Sequence, residues 1–177
     1  MAKRVFKTDL SAKGLENLKK ELLNYKNNTL QQKIDLLAKM LAEKGVKIAQ
    51  ANISSLDAIF TGEIISSIHT RYGGGTKGTA IFYIVADSKH AAFVEFGTGQ
   101  LGQEGPYPYT LPEGVEWNYN TGKTIFEIDT GQYGWFYPGD DGQWYFTQGM
   151  PSRPFLYETS MELLQSIVKT AKDVFKR

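Results

Sequence analysis

The apolar residues of this chain change period twice, and that change constrains the fold more than any other feature. Near the N-terminus Leu15, Leu18, Leu22 and Tyr25 recur at three- and four-residue spacing, and Leu30, Ile34, Leu37 and Leu41 repeat the pattern. Near the C-terminus Met161, Leu164, Ile167, Val168, Ala171 and Phe175 do the same. Such spacing puts one apolar stripe on a helix. Between these ends the period is lost. The segment 79–86 is rich in β-branched and aromatic residues, which favours a strand. Helices flanking a strand-rich middle predict an α+β chain: an antiparallel sheet packed against N-terminal helices and a C-terminal helix.

Punctuation residues refine the reading. Asp9 and Ser11 are candidate caps for a helix over about 10–26. Asn27-Asn28 predicts a break, and Thr29-Leu-Gln-Gln32 has the form of a capping box opening a second helix over about 30–51. Lys3 to Thr8 reads as a short strand. Ile64, Ile65 and Ile68 form a helical face or feed a strand, and Ser67 to Tyr72 pairs with 79–86 across the glycines at 73–75 and 78. The apolar run Ala80 to Ala86 predicts a buried strand. His90 to Phe96 fits one helical turn ending at Gly97, since glycine tolerates the left-handed conformation there. Pro154 suits the first turn of the last helix, where its missing N–H costs nothing.

From Gly105 onward aromatics become dense. Pro138-Gly-Asp-Asp-Gly142 separates Trp135-Phe-Tyr137 from Trp144-Tyr-Phe146, a strong hairpin signal. Residues 105–149 are read as an aromatic, strand-rich insert within a single domain spanning 1–177.

Composition narrows the function classes. The 177 residues include no cysteine, so disulfides, zinc–thiolate sites and thiol nucleophiles are absent. A chain of this length buries roughly 70% of its unfolded surface and folds without such staples. The formal net charge of +1 supplies no global field for nucleic acid or an anionic membrane. No apolar stretch approaches the ~20 residues that span a bilayer, and no signal peptide is visible.

Candidate chemistry is sparse. Thr121-Gly-Lys-Thr124 imitates the end of a phosphate loop, but Trp117 stands where the loop needs a glycine, and a strand-like segment follows. His69 and His90 are the only imidazoles and have no ligand-like spacing. Asp140-Asp141 reads as a solvated hairpin tip. Glu95, flanked by Val94 and Phe96, has the setting of a carboxyl with a raised pKa; its plainer reading is a cap or a salt bridge. Glu104, Glu113 and Glu116 are available as a second carboxylate, with no spacing that selects one. No catalytic residue, cofactor or metal is expected. The aromatic hairpin resembles one unit of choline-binding cell-wall repeats, which trap quaternary ammonium groups between rings, but a stack of such units needs about three. Cross-strand aromatic pairing or a protein contact through Trp135, Tyr137, Trp144 and Tyr145 accounts for it better.

Several segments, in order, resemble the neck or tail-completion proteins of long-tailed phages. Thr61-Gly-Glu-Ile-Ile-Ser-Ser-Ile68 is similar to that family's Thr-Gly-x-Leu-x-x-Ser-Ile pattern. Ala92-Phe-Val-Glu-Phe-Gly-Thr-Gly99 resembles its most recognisable motif, and Met150-Pro-Ser-Arg-Pro-Phe155 its closing motif. Ala91-Ala92 departs from the family's common tyrosine-alanine. The resemblance implies a virion protein made in the host cytoplasm, assembled as a homo-oligomeric ring, expected to be a hexamer. Its implied partners are the head-closure connector, the tail terminator or tail tube, and double-stranded DNA passing through the lumen without sequence recognition; no membrane is involved. A tail terminator or minor tail protein is a related alternative. Phe93, Glu95, Phe96, Gly97, Gly99, Pro151, Arg153, Pro154 and Phe155 are the expected structural residues. Gly97 and Gly99 would permit close backbone approach, the three phenylalanines would anchor the last helix, and Arg153 is a candidate charge partner of Glu95, either within one subunit or between two.

Overall fold

The computed structural model describes residues 5–56, 61–76, 78–120, 125–139 and 141–176. The Thr121–Thr124 turn and Asp140 of the hairpin tip lie outside the described residues. The chain mixes helix and antiparallel strand, as the periodicity predicts. It divides into two compact units, each built from separated stretches: 1–48, 69–85 and 160–177 form unit 1, while 49–68 and 86–159 form unit 2.

Unit 1 begins with helix α1, Ala12–Asn24. Ser11 caps it, accepting the Gly14 N–H at 2.9 Å, and Asp9 holds Ser11 through its N–H and hydroxyl at 3.0 and 2.7 Å. The predicted break at Asn27-Asn28 is not made, and Thr29 opens no new helix. A π-helical segment, Tyr25–Leu30, carries the backbone without interruption into α2, Gln31–Ser54. The reason lies in the stripe: Tyr25 to Leu30 is a step of five residues, one too many for an α-helix, and a wider turn with i→i+5 bonding absorbs it. The predicted strand over Lys3–Thr8 is also not formed over its described residues, 5–8.

Strand β1, Ile68–Gly74, pairs with β2, Ile81–Ala86. β2 is not the buried strand expected: Ile81 and Tyr83 are exposed, in alternation with half-buried Phe82 and Ile84. α2 lies against β2 at Gly45, where an added Cβ would sit 2.2 Å from Ile84 Cδ1 and 2.8 Å from Leu163 Cδ1 of the last helix. Glycine is the residue that lets these three elements meet. Gln31 anchors the start of α2 to the strand turn, donating to Thr79 O and accepting from Gly78 N–H.

In unit 2 the end of α2, helix α3 (Thr61–Ser67) and helix α4 (Ala91–Phe96) gather the core residues Ile53, Ile64, Val94 and Phe155. α5, Gly99–Glu104, follows α4 after two residues. The aromatic segment forms a three-stranded antiparallel sheet in the order β3 (Phe126–Glu127), β4 (Tyr133–Pro138), β5 (Trp144–Thr147). Phe136 faces Phe146, and Tyr137 faces Tyr145. β6, Gly149–Met150, bridges back to Thr98 and Gly99. The last helix, α6 (Phe155–Lys176), starts in unit 2 and continues into unit 1. Among the described residues no helix is long and apolar enough to cross a membrane.

Candidate functional site

The two motif segments are far apart in sequence and adjacent in space. α4 ends at Gly97, whose φ is +84°, and the chain passes through Thr98 to Gly99 at +62°. Both glycines face the backbone of the second segment: a Cβ on Gly97 would lie 2.8 Å from Ser152 N, and one on Gly99 2.4 Å from Gln148 O. Left-handed φ and direct backbone contact both demand glycine here. A ladder of bonds closes the joint. Arg153 N–H donates to Val94 O at 2.8 Å, and the Ser152 hydroxyl to Glu95 O at 2.6 Å. Ser152 N–H reaches Gly105 O at 2.9 Å, and Leu101 N–H reaches Gln148 O at 3.2 Å.

Glu95 sits at the centre and is only 5% exposed. Its two carboxyl oxygens accept the N–H groups of Leu156 at 2.8 Å and Tyr157 at 3.0 Å. These are orphan donors of the first turn of α6, so the side chain from α4 serves as that helix's cap. Burial pushes the Glu95 carboxyl up to about 7; the two N–H donors pull the other way and the nearby Glu158 carboxylate adds to the rise. Both Glu95 oxygens are thereby engaged as a cap. Arg153 joins the joint through its backbone. Pro154 immediately precedes α6 and its carbonyl accepts Glu158 N–H at 3.0 Å, while Pro151 lies against Gly105. Phe155 is 1% exposed and holds the helix start in the core.

Phe93 and Phe96 meet other aromatic rings in tilted and edge-on contacts. Phe93 lies 5.9 Å from the Trp117 ring. Phe96 packs 5.1 Å from Trp117 and 5.0 Å from Tyr107. Trp117 Nε1 donates to Gly97 O at 2.9 Å. Tyr109 stacks on Tyr157 at 3.6 Å and donates its hydroxyl to Glu158 at 2.5 Å, an interaction that raises the phenol to about 12. Residues 105–120 therefore wrap the joint and carry no strand, contrary to their reading as part of a strand-rich insert. Tyr107, Tyr109, Trp117, Ser152 and Tyr157 complete the joint, and of these only the tryptophan amid turn residues carries a signal in the sequence.

The four hairpin aromatics divide between the two faces of the sheet. Trp135, Tyr137 and Tyr145 share one face, with Trp135 packed against Gly99. Trp144 belongs to the other and is 67% exposed. Asp141 braces the tip, accepting from Gln143 N–H at 3.0 Å and the Tyr145 hydroxyl at 2.6 Å. His90 lies 3.7 Å from Glu63, and burial lowers its pKa against that carboxylate's pull. Among the described residues no three His, Asp or Glu side chains converge as a metal site, and no buried side-chain polar atom lacks a hydrogen bond.

The chain matches no protein-family model, no curated protein and no solved structure.

Proposed function

We propose that the chain is a structural neck protein of a long-tailed phage, joining the head-closing connector to the tail as a ring through which double-stranded DNA passes. The observation that carries this reading is how the motif residues are used. The two segments that resemble the family's signature close on each other, and the side chains of Glu95 and Ser152 are engaged with backbone. Both Glu95 oxygens hold helix N–H groups, which leaves the joint as scaffold and not as a site of chemistry. Meanwhile the helices of unit 1 leave leucines, Met161 and Val168 uncovered, as an assembling chain requires. On this reading the protein has no enzymatic activity and resides in the virion. Its partners are copies of itself, the connector, and the tail terminator or tube.

Particles assembled without this protein test the reading: filled heads and separate tails are expected, and normally joined particles would overturn it. The hairpin supports a glycan-binding role poorly. Trp135 and Trp144 lie on opposite faces and do not build one aromatic cage, so choline or peptidoglycan binding is expected to be absent, as is clearing on a cell-wall zymogram.

A further inference from the structure

The near-neutral charge of the chain hides a segregation. Unit 1 holds 17 lysines and arginines against 7 aspartates and glutamates, a net of +10; unit 2 holds 3 against 12, a net of −9. Over the described residues alone the two nets are +6 and −8. These charges stand in solvent. Every described lysine and arginine of unit 1 is exposed except the half-buried Lys33, and so is every described carboxylate of unit 2 except Glu95. The few acids of unit 1 are partly used within their own helices, where Glu16 meets Lys20 at 3.3 Å and Glu43 meets Lys39 at 3.8 Å. Lys169, Lys172 and Lys176 follow steps of three and four along one side of α6. Among the described residues these three make no ion pair, and neither do Glu104, Glu113 and Glu116 of unit 2.

We propose that the basic surface of unit 1 docks on the acidic surface of unit 2 of a second copy, with Lys169, Lys172 and Lys176 facing the carboxylates of the 104–116 segment. Charge complementarity names the occupant. The two excesses are opposite in sign and differ by one charge, so a neighbouring copy neutralises both and leaves no net charge to accumulate. Like units facing each other would repel. DNA fits less well: its phosphates would have to approach a chain that also carries the surplus carboxylates of unit 2 and only +1 in all. Opposite potentials steer the encounter and reject wrong registers. A contact between unlike surfaces runs head to tail, and repeated contacts of that kind generate a ring when the rotation closes. The inference rests on the ring reading above and assigns its contact surfaces.

The test is light scattering on the full-length chain at rising salt and on two charge-reversed variants: Lys169→Glu with Lys172→Glu, and Glu113→Lys with Glu116→Lys. All four positions are exposed, and unchanged far- and near-ultraviolet dichroism checks folding; glutamine replaces the new charge if that signal is lost, and should remove most of the salt dependence. At low salt the natural chain should have a mass that is a multiple of 19.9 kDa. Its association should weaken at least about 10-fold between ~0.05 and ~0.5 M sodium chloride, where the screening length shrinks about threefold. Each charge-reversed variant alone should associate at least about 10-fold more weakly, since like charges then face each other. An equimolar mixture of the two should recover association, because the reversed surface of one meets the reversed surface of the other. A mixture no better than its components overturns the pairing. Association of the natural chain that is indifferent to salt and to both reversals overturns these surfaces and leaves the ring intact. A natural chain that stays single at every concentration overturns both readings, and its capture by a DNA duplex at low salt would assign the lysines to a polyanion instead.

Discussion

The joint in unit 2 and the helices of unit 1 use side chains in opposite ways. In the joint, Glu95, Ser152 and Trp117 each meet a backbone partner, and glycines let chain segments touch directly. In unit 1, the regular apolar side of α6 faces outward and the more mixed side faces in. Amphipathicity therefore marks a core face in one place and an uncovered face in the other. The joint is closed by groups of one chain, whereas Leu164 and Val168 of α6 stay exposed. Substitutions in the joint should cost folding stability, and substitutions on the exposed side of α6 should cost little.

The largest expected effect is at Phe155. Truncation to alanine should remove about 3–5 kcal/mol from unfolding in denaturant, since the ring is fully enclosed; a loss under 1 kcal/mol would mean the joint is not held there. Gly149→Ala comes next. Its φ is +93° and an added Cβ would lie 2.0 Å from Thr98 O, so strain and displacement together predict a loss of roughly 2–4 kcal/mol.

Glu95 sharpens the comparison through pH. Its carboxyl rises from 4.5 to about 7 in the fold, so the folded chain keeps a proton that the unfolded chain has released. The stability this confers is present below about pH 4.5 and is lost as pH rises through 7, on the order of 3 kcal/mol in all. Glu95→Gln should flatten that part of the profile while losing roughly 1–2 kcal/mol at pH 5, because one helix N–H is left without an acceptor. Parallel profiles for the two proteins between pH 5 and 8 would remove Glu95 as the titrating group. The smallest effect is expected on the exposed side of α6: Leu164→Ser should change stability by less than about 0.5 kcal/mol, because its side chain is 60% exposed. A loss near that of Phe155→Ala would erase the distinction between the two regions.

Much of the architecture was legible from local signals. Ser11 as a cap, Gly97 as the stop of a helical turn, the start of α6 after Pro154 and the 135–146 hairpin each rest on residues within a few positions of one another. At Asn27-Asn28 propensity argues for a break, but the five-residue step between the apolar stripes favours the π-helical turn that forms. Glu95 was singled out for its apolar neighbours, but Leu156 and Tyr157 are some sixty residues away, and no local rule reaches that far.

The sequence by itself determined the Ser11 cap, the 135–146 hairpin and the two helical stripes, because these follow from backbone sterics and from spacing along one element. Only the tertiary structure decided which side of each helix is covered. Periodicity establishes that α6 has an apolar side, but burial depends on what the rest of the chain brings to it. Gly45, Ile84 and Leu163 meet on the other side, and Leu164 and Val168 are left exposed.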